Sequence, residues 1–145
     1  MKTDVWYCDT CAEAIDNPGM GMVVWDGKSK TGKQSFAIIH KGPKCDDDRD
    51  VMWMELRHMI GEEGPQHLLS FLSYGPLPRR ESRPRVGDVD GFVDLFRRLH
   101  TPGYEEARRY FDHPDVVDRF SGANEFAAYT PESLEWIIET GRAEA

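Results

Sequence analysis

An α+β fold, with a zinc-stapled β-hairpin at the N-terminus and a mainly helical remainder, is predicted by three features of the 145-residue sequence. Up to Cys45, apolar residues fall in short runs rich in β-branched and aromatic types. Beyond it they recur at helical spacing. The third feature is that every cysteine, together with one histidine, lies in two close pairs on either side of the predicted hairpin.

The runs "VWYC", "MVVW" and "FAII" are separated by Gly, Asn, Pro and Lys, which is a strand-and-turn pattern. "MVVW" and "SFAII" flank the polar segment "DGKSKTGKQ", so they are read as an antiparallel hairpin with a long basic tip. After Cys45, Asp46, Asp47 and Asp48 precede an apolar series at Met52, Leu56, Met59 and Ile60, widened by Val51 and Trp53. Acidic residues favour a helix N-terminus, so a helix is expected here, ending at Gly61. A second helix is expected over "PQHLLSFLSY", with Pro65 in its first turn and Leu68, Leu69 and Leu72 on one face. The two are expected to pack as a short helical hairpin.

"GPLPRRESRPRVGDVDG" is rich in Pro, Gly and Arg and is read as an extended connector. The chain then divides into residues 1–75 as the metal-binding hairpin with two helices, 76–87 as the connector, and 88–145 as a helical module. In the last, Val89, Phe92, Phe96 and Leu99 form one stripe, and Tyr104, Ala107 and Phe111 another. A short helix is expected around "PDVVDRF". The final helix carries Thr130 as its cap, Pro131 in the first turn and Gly141 as its stop.

Composition limits the function classes. A formal charge of -8 opposes broad attraction to nucleic acid or anionic membrane, and no long apolar stretch suggests a leader or a membrane span. Three cysteines cannot all pair within one chain, so a disulfide framework is a poor explanation and a reducing cytoplasm fits better. The excess of Arg over Lys leans toward a GC-rich bacterial or phage genome.

Cys8 and Cys11 form C-x-x-C, and His40 and Cys45 come after the hairpin. Two pairs of soft or borderline ligands, brought together by the intervening hairpin, are what tetrahedral zinc takes. Four protein ligands leave no coordination position for water, so the expected Zn2+ is structural rather than catalytic. A redox C-x-x-C belongs at a strand-to-helix junction of a parallel-sheet domain, and no such alternation surrounds these residues.

A C-x-x-C knuckle, a β-hairpin and a second ligand pair resemble the treble-clef group of zinc fingers. LIM domains and poly(ADP-ribose) polymerase-type fingers have related Cys3His layouts. The resemblance covers only the first ~50 residues and implies metal binding without implying a function. It also implies that a helix starts at the last ligand, Cys45.

Other candidates are weaker. In "GKSKTGKQ", Gly27, Gly32 and Lys33 match a phosphate-binding loop, but Gln34 replaces the hydroxyl residue. "SFAIIH" then continues as a strand where that loop needs a helix, so no nucleotide site is assigned. Lys28, Lys30 and Lys33 at the tip, with Arg79, Arg80, Arg83 and Arg85 in the connector, are candidate contacts to phosphate or to a partner. His58, Glu62 and His67 are the only grouping that suggests a small hydrolase, and they lack any metalloprotease spacing. No catalytic residue is assigned. The expected role is a non-enzymatic zinc-binding adaptor or regulatory protein that acts through another protein. The alternatives are a zinc-finger nucleic-acid binder resembling a transcription regulator and, third, the hydrolase.

Overall fold

The computed structural model describes residues 5–46, 51–77 and 85–144. They form a mixed α and β structure, with small antiparallel sheets in the N-terminal half and six α-helices. Two compact units are present, one from Val5 to His100 and one from Thr101 onward.

The first unit contains two sheets. Strands β1 (Trp6–Tyr7) and β2 (Ala14–Ile15) make a small antiparallel pair that encloses the C-x-x-C turn. Strands β3 (Gly21–Asp26), β4 (Gln34–His40) and β5 (Met52–Glu55) make a second sheet in the order β4-β3-β5. β3 is the centre strand and is buried from Gly21 to Trp25, which is why "MVVW" shows no polar alternation. The expected hairpin is the β3–β4 pair, with Met22 opposite Ile39 and Val24 opposite Ala37. The register shifts between Val24 and Asp26, and Ser35 facing this shift has φ 57, the mark of a β-bulge.

The helix expected from Asp46 onward is corrected. Met52–Glu55 is a strand, paired antiparallel with β3 so that Val24 faces Trp53. Helix propensities differ by only about 0.7 kcal/mol per residue among ordinary residues, whereas an unpaired backbone group on a buried strand costs about 1–3 kcal/mol. The free edge of β3 therefore outweighs the helical spacing. Asp47 and Asp48 lie outside the described residues. Helix α1 (Leu56–Ile60) begins only after β5 and ends at Gly61, with Leu56 and Met59 buried.

Helix α2 (Gly64–Leu69) has Pro65 in its first turn as expected, and it packs on α1. Its predicted face is corrected: Leu68 is buried, but Leu69 and Leu72 are exposed and Phe71 takes the inward position. The helix ends at Leu69, so helical spacing no longer decides which side chains beyond it turn inward. The Phe71 ring lies 4.8 Å from Trp25 and 6.1 Å from Phe92, in a cluster that also holds Phe36. Helix α3 (Val89–His100) buries Phe92, Leu95, Arg98 and Leu99, while Val89 is exposed. Its stripe therefore runs through Leu95, with a buried arginine in line, and not through Val89.

The hairpin tip is not free-standing. Lys33 and Val86 form a parallel bridge, in which Lys33 N donates to Arg85 O (3.0 Å) and Gly87 N donates to Lys33 O (2.8 Å). This part of the predicted connector is a strap across the base of the tip.

In the second unit, α4 (Tyr104–Arg108), α5 (Pro114–Phe120) and α6 (Pro131–Ala143) surround Tyr104, Ala107, Val116, Leu134 and Ile137. The predicted cap of α6 is present, with Ser133 N donating to Thr130 Oγ1 at 3.2 Å. The predicted stop is not. Gly141 lies inside α6, and a Cβ there would overlap the Tyr110 ring. Glycine is kept for this close approach and not to end the helix. Replacing it with alanine gains about 1 kcal/mol in helix propensity but overpacks the ring at about 1–3 kcal/mol. Gly141→Ala is expected to destabilise this unit by about 1 kcal/mol in a denaturant titration; a stabilised variant would show that Tyr110 does not pack there.

Candidate metal centre

The two ligand pairs reach one point by different routes. Cys8 and Cys11 occupy the turn between β1 and β2, where Ala12 N donates to Cys8 O at 2.8 Å and Ala12 takes φ 66. His40 is the last residue of β4, and Cys45 ends a turn opened by Gly42 at φ 107. No helix begins at Cys45 among the described residues, although the treble-clef resemblance implies one.

The three Sγ atoms and His40 Nδ1 all lie within 4.8 Å of one another. His40 Nδ1 is 3.4 Å from Cys11 Sγ and 3.8 Å from Cys45 Sγ. A tetrahedral zinc with thiolates at ~2.3 Å and imidazole at ~2.0 Å requires ligand separations of roughly 3.5–3.8 Å. The His40–Cys11 and His40–Cys45 separations are close to these values, and the four donors together could hold a metal ion. Cys8 and Cys45 are buried and Cys11 is half-buried.

Groups around the ligands fix their orientation. His40 Nε2 lies 3.0 Å from the Ala14 carbonyl. A carbonyl only accepts, so the ring proton is on Nε2 and the Nδ1 lone pair faces the thiols. His40 N donates to Cys8 Sγ at 3.4 Å, and Thr10 Oγ1 donates to Cys45 O at 3.2 Å, joining the knuckle to the second ligand turn.

Burial pushes the Cys8 thiol up, but hydrogen bonds from the Cys11, His40 and Thr10 backbone outweigh it, and the thiol ends at about 6. Burial and the neighbouring Cys8 and Cys11 thiols push Cys45 up to about 11. The hydrogen bond with Cys8 raises His40 against the effect of burial. Three thiolates packed this closely repel one another, and a divalent cation relieves that repulsion.

Two ion pairs that share Glu55 brace the ligand turn from outside. Lys41, next to His40, donates to Glu55 Oε1 on β5 at 2.6 Å, and Arg57 Nε donates to Glu55 Oε2 at 2.7 Å. These two cations hold the Glu55 carboxyl down at about 2, from an ordinary 4.5. A depressed carboxylate stabilises the fold above its unfolded pKa and loses that contribution as pH falls toward its folded pKa. The melting-temperature gap between wild type and Glu55→Gln, at saturating metal, is thus expected to stay constant above about pH 5.5 and to narrow below about 4.5. A gap that widens on acidification would contradict the pairing.

His58 is exposed and stands 3.8 Å from Glu55, and His58, Glu62 and His67 do not form a close group. Lys33 Nζ sits 5.2 Å over the Phe71 ring, and Arg85 Nη2 donates to the Lys30 carbonyl at 3.2 Å. The second contact ties the strap to the tip, where Lys28 and Lys30 are exposed. Arg79, Arg80 and Arg83 lie outside the described residues. A second donor group, His113, Asp115 and Glu144, is already committed. His113 Nδ1 accepts from Asp115 N, capping α5, and Nε2 pairs with Glu144 at 2.7 Å, so neither ring nitrogen has a lone pair left for a metal.

Comparisons with protein-family models, with curated proteins and with solved structures find no match to the chain. No described helix is long and apolar enough to cross a membrane.

Proposed function

We propose that the chain is a non-enzymatic, zinc-binding adaptor or regulatory protein, with Zn2+ held by Cys8, Cys11, His40 and Cys45 and a second protein as its partner. The supporting observation is the closed Cys3His arrangement, in which all four ligand positions come from the chain. Zinc is favoured over harder cations because three of the four donors are sulfur. A site of this kind supplies folding free energy and leaves no position at which a substrate or a nucleophilic water can bind. Treble-clef kinship is part of the proposal, resting on the knuckle, the hairpin and the ligand order.

A protein partner is favoured by the apolar groups on the first unit's surface. Met52 is 55% exposed and Trp53 58% exposed on β5, an edge strand of the sheet. Exposed tryptophan and methionine on an edge strand are features of interfaces. The test is affinity purification of zinc-loaded protein from its host, comparing wild type with Trp53→Asp. A protein recovered with wild type and lost with the variant supports the reading.

The nucleic-acid reading has one observation in its favour, the grouping of Lys28, Lys30 and Arg85 at one end of the hairpin. Salt-sensitive recovery of nucleic acid alone, lost with Lys28→Ala/Lys30→Ala, would replace the adaptor reading with that one.

A further inference from the structure

We propose that Arg98, near the C-terminal end of α3, is a positioning residue for the metal centre, so that metal loading and the docking of α3 form one coupled equilibrium. The inference rests on the Cys3His metal reading and adds its long-range control. Arg98 is 4% exposed, on a helix that supplies no ligand. Its Nη1 donates to Asp9 Oδ2 at 2.7 Å, and its Nη2 donates to the Tyr7 carbonyl at 3.1 Å. Its own carbonyl accepts from Trp6 Nε1 at 2.9 Å. Residues 6, 7 and 9, immediately before and inside the C-x-x-C knuckle, are thus all tied to Arg98.

The same Asp9 oxygen accepts a second hydrogen bond, from Ile38 N at 2.8 Å, while Asp9 N donates to Ile38 O at 2.8 Å. Ile38 lies on β4 two residues before His40. One carboxylate therefore joins the turn that bears Cys8 and Cys11, the strand that bears His40, and α3.

A buried guanidinium left without its carboxylate is strongly unfavourable, so docking of α3 and the placement of Asp9 stabilise each other. Groups that orient metal ligands from behind typically change metal affinity by about 10–100-fold when removed. Coupling of this kind is reciprocal: what α3 contributes to metal binding, the bound metal returns to α3. A surface that displaces α3 would weaken the metal site, and loss of the metal would release the helix.

The test is a chelator-competition titration of the full chain with zinc, plus the absorption spectrum with cobalt, for wild type, Asp9→Asn, Arg98→Lys, Arg98→Met and the Asp9→Asn/Arg98→Lys double variant. Arg98→Met is expected to raise the dissociation constant about 10–100-fold while keeping the cobalt spectrum of three thiolates and one imidazole. Arg98→Lys is expected to lose less, because one ammonium replaces the guanidinium at Asp9 but does not also span to the Tyr7 carbonyl. The double variant should bind no more weakly than the worse single variant, to within a factor of about three, because both substitutions act on the same pair. If Arg98→Met does not fold, Asp9→Asn and Arg98→Lys decide. Affinities for both within a factor of about two of wild type, with lowered melting temperatures, would make Arg98 an ordinary core residue and overturn the coupling alone. A wild-type protein that takes up neither metal would overturn the site and the coupling together.

Discussion

Cys11→Ser, or a strong chelator added to the wild type, is expected to unfold the unit spanning Val5 to His100. Structural zinc supplies on the order of 10–16 kcal/mol in finger peptides, while a whole domain is stable by only about 5–15 kcal/mol. Losing one ligand of four removes a part of the first quantity that is comparable with the second. The two-residue strands β1 and β2 would be at best marginal as an isolated pair in water, so they depend on the metal and on the burial of Trp6 and Ile15. Cys11 is the informative position because it is half-buried, whereas Cys8 and Cys45 are fully buried. Serine there changes packing little, so unfolding reports the missing ligand and not a cavity. Trp6 and Trp25, both buried in this unit, supply the optical signal through a red shift of their fluorescence. A protein carrying well below about one zinc per chain, or a melt unchanged by chelator, would remove the metal reading.

The Cys3His cluster was legible because its chemistry is local: the knuckle and the His40–Cys45 turn each lie within a few residues, and the hairpin between them announces itself by composition. The β3–β4 pair and the capped start of α6 were legible for the same reason. Misreadings arose wherever a distant partner decided the outcome. Met52–Glu55 has helix-compatible spacing, and only the open edge of β3 makes it a strand. Gly141 resembles a helix stop until Tyr110 is seen against it. Asp9 and Arg98, 89 positions apart, carry no signature of their pairing except that Arg98 falls in line with Leu95 and Phe92 on an apolar face. An arginine on such a stripe is a prompt to look for a carboxylate within reach of it, because a buried guanidinium is not stable there alone.

The tip of the hairpin illustrates the same division, and it supplies the second large effect. Gly32→Ala is expected to destabilise the first unit by about 2–4 kcal/mol, from two sources that separate experimentally. The first is conformational. Gly32 has φ 114, a region that L-residues enter at a cost of roughly 1 kcal/mol or more. The second is steric. A Cβ at this position would lie 2.8 Å from the Arg85 carbonyl oxygen and 2.9 Å from Gly87 N, both backbone atoms of the strap and unable to swing aside. Overpacking of this kind adds about 1–3 kcal/mol. Gly75 isolates the first source, because it also has positive φ, at 76, but a Cβ there meets nothing within 4 Å. Gly75→Ala should therefore cost about 1 kcal/mol, with Gly32→Ala clearly more, in denaturant titrations of the metal-loaded protein. Equal costs would mean that residues 85–87 do not rest on the hairpin, and the tip would then be the mobile basic finger that its composition suggests. A larger cost at Gly32 makes the glycine of a near phosphate-binding motif a packing residue, and it fixes Lys33 and Arg85 as parts of the scaffold.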